Sequence, residues 1–83
     1  MLGERDRAVL DFESRWWLYP GPKDRAIRAH LGISATRYYQ VLRRLMDDPA
    51  AEEHAPLTIR RLRKVREHGR RRADRRLGDG QRP

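Results

Sequence analysis

Apolar positions recur at helical spacing in four stretches of this chain, and glycine or proline separates the first from the second. Val9, Phe12 and Trp16 stand at i, i+3 and i+7, with Leu10 and Trp17 beside them, while Asp6, Asp11, Glu13 and Arg15 fall mostly off that face. This predicts an amphipathic helix over 4–17 with Trp16 and Trp17 in its buried aromatic face. Tyr19-Pro20-Gly21-Pro22 ends it, since proline lacks a backbone donor and clashes with the preceding turn. A second helix is predicted over 23–31, its inward side made by Ala26, Ile27 and Leu31. Gly32 suits the left-handed position that closes a helix, and Ser34 is a good N-cap for the next one. That third helix, 35–46, carries Tyr38, Val41, Leu42 and Leu45 as one stripe. Asp47-Asp48-Pro49 stops it, and 49–56 reads as an acidic, proline-bounded connector with room for one helical turn. A fourth helix follows over 57–68, with Leu57, Ile59, Leu62 and Val65 packing one side and arginines around the rest. After Gly69 no packing pattern remains beyond Leu77, which predicts disorder. No period-two alternation is long enough to build a sheet, and no internal repeat is present. The expected fold class is all-α: a three-helix helix-turn-helix core over 1–48, the connector 49–56, a basic helix 57–69 and a disordered basic tail 70–83.

Size and charge narrow this further. At 83 residues the chain forms one domain with a small core. It has no cysteine, so no disulfide can staple it. No apolar run approaches the roughly 18 residues that span a bilayer. The N-terminus is charged at once and lacks the apolar region of a signal peptide. A soluble, cytoplasmic and nucleoid-associated protein is the expectation, with no membrane partner. The net charge is +8, and its distribution is uneven. Residues 1–59 hold nine basic and nine acidic side chains, whereas residues 60–83 hold eleven basic against three acidic. Arginine outnumbers lysine 18 to 2, which GC-rich codon usage would favour, but codon bias does not concentrate charge at one end. A neutral domain with a cationic extension points to a polyanionic partner.

The stretch from Ala26 to Leu45 carries the most specific signal. A short apolar helix, then Leu31-Gly32-Ile33-Ser34, then a helix whose apolar side faces back is the pattern of a helix-turn-helix. Gly32 permits the sharp turn, Ile33 plugs the corner and Ser34 caps the second helix, which such motifs place in a major groove. With Tyr38, Val41, Leu42 and Leu45 inward, the outward face carries Ala35, Thr36, Arg37, Tyr39, Gln40, Arg43 and Arg44. Ala35 and Thr36 are small enough to approach a thymine methyl, Gln40 can pair bidentately with adenine, and Arg37 or Arg43 with guanine. Tyr39 is a candidate base contact, by stacking, and can also hydrogen-bond a phosphate. Ser34 and Arg44 are assigned to phosphate, together with Arg60, Arg61, Arg63, Lys64, Arg66, Arg70, Arg71 and Arg72 in the C-terminal segment. Arg28 stands four residues before the turn glycine, where such motifs hold a small residue. That leaves looser helix packing or an outward Arg28 as alternatives.

Phe12-Glu13-Ser14-Arg15-Trp16-Trp17, Lys23-Asp24-Arg25-Ala26-Ile27-Arg28, Arg37-Tyr38-Tyr39-Gln40-Val41-Leu42 and the basic run from Pro56 to Arg66 together resemble a family of small basic actinobacterial proteins of unknown function. The resemblance covers nearly the whole chain and rests mainly on the Arg-Tyr-Tyr-Gln motif beside the paired tryptophans. It implies an actinobacterial or actinophage origin and a helix-turn-helix-like fold, and little about biological role. The chain departs from the family's pattern at Arg43, where asparagine is expected, and at Ala55, where aspartate is expected.

Other chemistry is not signalled. His30, His54 and His68 lie far apart without cysteine or carboxylate at ligand spacing, so no metal is expected. No nucleophile–base arrangement, paired active-site carboxylates or Gly-rich phosphate loop is present, so neither enzymatic activity nor a cofactor is expected. The best-supported reading is a DNA-binding protein, a transcription regulator or nucleoid-type factor, whose double-stranded DNA partner is read by helix 35–46 and gripped by the arginine-rich C-terminus. Two other classes compete: an RNA or ribosome binder whose arginine-rich segment orders on RNA, and a small module that docks on the transcription machinery, such as RNA polymerase, through its aromatic helix. A lone helix-turn-helix reads few base pairs, so either dimerisation or the basic extension must add affinity.

Overall fold

In the computed structural model, which describes residues 2–80 and the side chains of residues 2–69, five α-helices account for the regular structure. They are α1 (Glu4–Glu13), α2 (Lys23–Leu31), α3 (Ala35–Leu45), α4 (Pro49–His54) and α5 (Pro56–Gly80), with a single 3-10 turn at Trp16–Leu18. No strand occurs among the described residues, and the fold is all-α.

The first helix stops at Glu13, four residues before the expected end at Trp17. Ser14 explains the stop. Its hydroxyl donates back to the Leu10 carbonyl at 2.8 Å and also lies 2.9 Å from Thr58 Oγ1 on α5. Such local bonds compete with helix propagation. The chain then tightens through Arg15 N to Phe12 O and Leu18 N to Arg15 O bonds, both 3.0 Å. Pro20 keeps Tyr19 extended, at φ −93° and ψ 136°. The tryptophans therefore leave the α1 face. Trp16 still packs against the core, but Trp17 is 54% exposed and is no core residue.

α2 and α3 follow the sequence closely. Gly32 takes φ +69° and ends α2, with its N–H bonded to the Arg28 carbonyl at 3.0 Å. Ser34 caps α3, its hydroxyl accepting from Arg37 N at 3.1 Å. Arg28 is exposed, so the larger side chain is accommodated outward. The core is built from Val9, Leu10 and Phe12 of α1, Ala26 and Ile27 of α2, and Tyr38, Val41, Leu42 and Leu45 of α3. Phe12 is central to its aromatic part: its ring stacks on Tyr19 and meets Tyr38 edge-on, both at 5.7 Å.

The segment expected as a connector is an element of the core. Asp48 accepts from Ala50 N at 2.9 Å and Pro49 occupies the first helical position, the arrangement that starts a helix rather than merely ending one. α4 buries Ala51 completely, and His54 Nε2 lies 3.0 Å from Asp11 Oδ1 on α1. α5 then inserts Ile59, also fully buried, with Leu62 half-buried. The expected packing face 57/59/62/65 is only half realised: Leu57 is 77% and Val65 65% exposed. Residues 57 and 59 lie about 200° apart on a helix, so both cannot face one core. α5 also passes through Gly69 and reaches Gly80, where disorder from residue 70 was expected. Arginine, alanine and leucine are good helix formers, and a single interior glycine costs about 1 kcal/mol. Residues 81–83 of the expected tail lie outside the described residues. This 25-residue helix is about 37 Å long and gives the molecule its 50 × 30 × 20 Å outline.

The docking of α5 has a direct test. Ile59→Ala should lower stability by roughly 2–5 kcal/mol, while Leu57→Ala should stay within about 0.5 kcal/mol. Urea denaturation of both variants checks this, and equal, small effects would place α5 outside the core.

Candidate nucleic-acid interface

The inward face of α3 is fixed by packing and by one buried carboxylate. Glu13, the last residue of α1, is 4% exposed. Tyr38 Oη of α3 donates to its Oε2. Lys23 Nζ of α2 stands 2.9 Å from Oε2, and Arg61 of α5 lies 3.6 Å from Oε1 while donating to the Glu13 backbone carbonyl at 3.1 Å. Lys23 Nζ also sits 4.8 Å from the Trp16 ring centroid, 5.5 Å from that of Tyr38 and 5.3 Å from that of Tyr39. Among the described residues no buried side-chain polar atom lacks a partner.

With that side occupied, the opposite side of α3 is presented to solvent. Thr36, Arg37, Gln40 and Arg43 are exposed, and their side chains make no hydrogen bond or ion pair among the described residues. Thr36, Gln40 and Arg43 fall within about 60° of arc, with Arg37 and Arg44 on one flank and Tyr39 on the other. Arg44 donates to Asp6 of α1 at 2.7 Å while remaining 60% exposed, an ion pair that is weak in water.

One of the expected outward residues is placed differently. Ala35 is half-buried and packs on the core, because the first turn of α3 lies close to the α2 corner. Tyr39 is exposed as expected, while one side of its ring meets Tyr38 edge-on at 5.2 Å and flanks Lys23. Ser34 is exposed and caps α3 as an acceptor, which leaves its O–H free to donate. The basic residues of α5 also divide. Arg61 is held by Glu13. Arg63 donates to the Met46 carbonyl at 2.8 Å and approaches Glu52 at 3.3 Å, and Arg66 bridges both oxygens of Asp47 at 3.3 Å. Arg61 thus ties α5 to the end of α1, while Arg63 and Arg66 seat it against the C-terminal end of α3, where open carbonyls and nearby carboxylates attract cations. These three arginines are structural first. Arg60 and Lys64 are exposed without an ion pair among the described residues, and the side chains of Arg70, Arg71 and Arg72 lie outside the described ones. Sequence reading did not anticipate the Glu13 network. Its only trace is an acidic residue at the end of the apolar face of α1, adjacent to a run of aromatics.

Among the described residues no group of His, Cys, Asp or Glu side chains could hold a metal ion, and no helix is long and apolar enough to cross a membrane.

The tyrosine in this network gives a pH signature. Burial, then the hydrogen bond to Glu13 and the Glu13 charge, with a smaller push from Tyr39, raise the Tyr38 hydroxyl far above the ordinary tyrosine range, against a small opposing effect of Arg61. The unfolded chain releases this proton near pH 10 and the folded one does not. The contribution is therefore complete below about pH 10 and is lost as pH rises further, at about 1.4 kcal/mol per pH unit. Above that pH, wild-type stability should fall more steeply than that of Tyr38→Phe by this slope. Denaturant titrations at stepped pH measure it, and parallel curves for the two proteins would contradict it.

Neither a curated protein nor a solved structure matches the chain. A family model does, over residues 1–76, so that all five helices except the far end of α5 fall within it. The chain belongs to the family described as protein of unknown function DUF3263.

Proposed function

We propose that this protein binds double-stranded DNA, with α2, the Gly32–Ser34 turn and α3 acting as a helix-turn-helix and α3 lying in the major groove. The single observation that carries this reading is the outward face of α3. A helix whose other side is wholly committed to the core exposes Thr36, Arg37, Gln40 and Arg43 together, without protein partners among the described residues. Those side chains match the donor and acceptor patterns of base edges: the amide of Gln40 for adenine, the guanidinium of Arg37 or Arg43 for guanine. The three-residue turn and the capped start of α3 support the same reading, since recognition helices read bases with their N-terminal part. Arg60 and Lys64 on α5 supply sequence-independent attraction to phosphate, and Arg44 joins them by exchanging Asp6 for a phosphate oxygen. The biological role that fits is a transcription regulator or nucleoid-associated factor.

Two measurements test the division of labour. Against a duplex selected from a random pool, Gln40→Ala or Arg43→Ala should lose roughly 1–3 kcal/mol of preference over random duplex. Stability should change by no more than about 0.5 kcal/mol. Unchanged selectivity in the double variant would overturn the reading, and normal binding of structured RNA in preference to duplex would favour an RNA partner instead. Arg60→Ala with Lys64→Ala should weaken all duplexes alike and flatten the slope of log K against log salt by about 2, since each phosphate contact contributes about 0.9. A change in sequence preference with an unaltered slope would mean that α5 reads bases.

A further inference from the structure

A second surface lies beside the outward face of α3. α5 is tied to the end of α3 by Arg63 and Arg66, yet it does not close on the body of that helix. Between the two runs an open groove of about 830 Å³. Its floor is apolar: Leu42 from α3 and Met46 just after it, Leu62 and Val65 from α5, and Trp16. Val65 is 65% exposed there, although its neighbour Leu62 is half-buried against the core.

Charge decides what would fill this groove. Its rim carries Lys23, Arg43, Arg61 and Arg66 against Glu13 and Asp47. Glu13 is buried and already neutralised by Lys23 and Arg61, and Asp47 is matched by Arg66. Arg43 has no partner among the described residues, and the face as a whole is cationic. A second copy of the chain would bring the same cationic rim, and the +8 net charge of each copy opposes such pairing. A duplex supplies negative charge but no apolar side for a floor of leucine, methionine, valine and tryptophan. The remaining fit is an apolar ridge with acidic flanks, and a trough between two helices has the shape for a third.

We infer that the groove between α3 and α5 receives an acidic amphipathic helix from a partner protein. Leucine or aromatic anchors would sit on the Leu42–Val65 floor, and carboxylates would meet Arg43, Arg61 and Arg66. Anchors in the floor supply most of the affinity, and the rim charges supply steering and selectivity. Tyr39 and Arg43 line the groove, and Arg43 also belongs to the outward face of α3, so the two surfaces share that side chain. The inference stands on the groove alone and does not require the DNA reading.

The test uses the full chain and a fluorescein-labelled peptide of about 16 residues, with leucines at i, i+3, i+4 and i+7 and glutamates elsewhere. A lysine version and a scrambled glutamate version serve as controls. Saturable binding of the acidic amphipathic peptide alone is expected. Val65→Asp, at an exposed position and therefore folded as judged by its urea midpoint, should weaken it at least ~10-fold. Arg43→Glu should weaken it at least ~3-fold, given one lost rim charge. Val65→Asp should leave duplex binding unchanged. No saturable binding, equal binding of the scrambled peptide, or indifference to both variants would overturn the inference. So would a duplex affinity that falls with Val65→Asp, which would make the groove part of the nucleic-acid surface. A concentration-dependent dimer abolished by Val65→Asp in sedimentation equilibrium would assign the groove to a second copy and overturn it equally.

Discussion

A carboxylate taken out of water must be surrounded by positive charge and hydrogen-bond donors, and in this molecule that requirement organises the whole domain. Glu13 ends α1 inside the protein, and its partners come from three other helices: Lys23 from α2, Tyr38 from α3 and Arg61 from α5. Removing one side of such a network leaves an uncompensated buried charge, at a cost of roughly 3–5 kcal/mol, whereas an apolar replacement of the entire set can be neutral. The network is thus better understood as an orienting device than as a source of net stability. It sets the rotation of α3, because Tyr38 can reach Glu13 only when Thr36, Gln40 and Arg43 point the other way. It also anchors α5 to the end of α1, through Arg61.

Much of this was legible in the amino-acid pattern. Tyr38, Val41, Leu42 and Leu45 mark the inner side of α3, and Gly32 with Ser34 marks the corner before it, because helix periodicity and capping are local rules. The errors share one cause, which is competition between a local pattern and a contact distant in sequence. The i, i+3, i+7 spacing of Val9, Phe12 and Trp16 suggests one continuous helix, but Ser14 bonds to Leu10 and to Thr58, 44 residues away. Asp48-Pro49 is equally able to stop one helix and to start another, and only the burial of Ala51 decides. The arginines of α5 look alike in sequence. Arg61, Arg63 and Arg66 are distinguished from Arg60 and Lys64 by which side of the helix meets Glu13, Met46 and Asp47.

That division has a functional consequence. Charge density alone assigns every arginine of the basic segment to a polyanion, yet three of them hold the fold together. α5 is both a buttress for α3 and a carrier of surface charge, one side of the helix serving each purpose. Its stance also leaves the trough beside α3 open. The molecule thereby offers two neighbouring surfaces, one polar and cationic on α3, the other apolar between α3 and α5.

The central claim is that the core, through Glu13 and Tyr38, presents the outward face of α3 to duplex DNA. Backbone amide chemical-shift mapping during titration with a duplex measures this most directly. The account predicts perturbations concentrated at Thr36, Arg37, Gln40 and Arg43, with smaller ones at Arg60 and Lys64 and none at Ala51 or Ile59. Perturbations confined to α5 while α3 stays silent would contradict it.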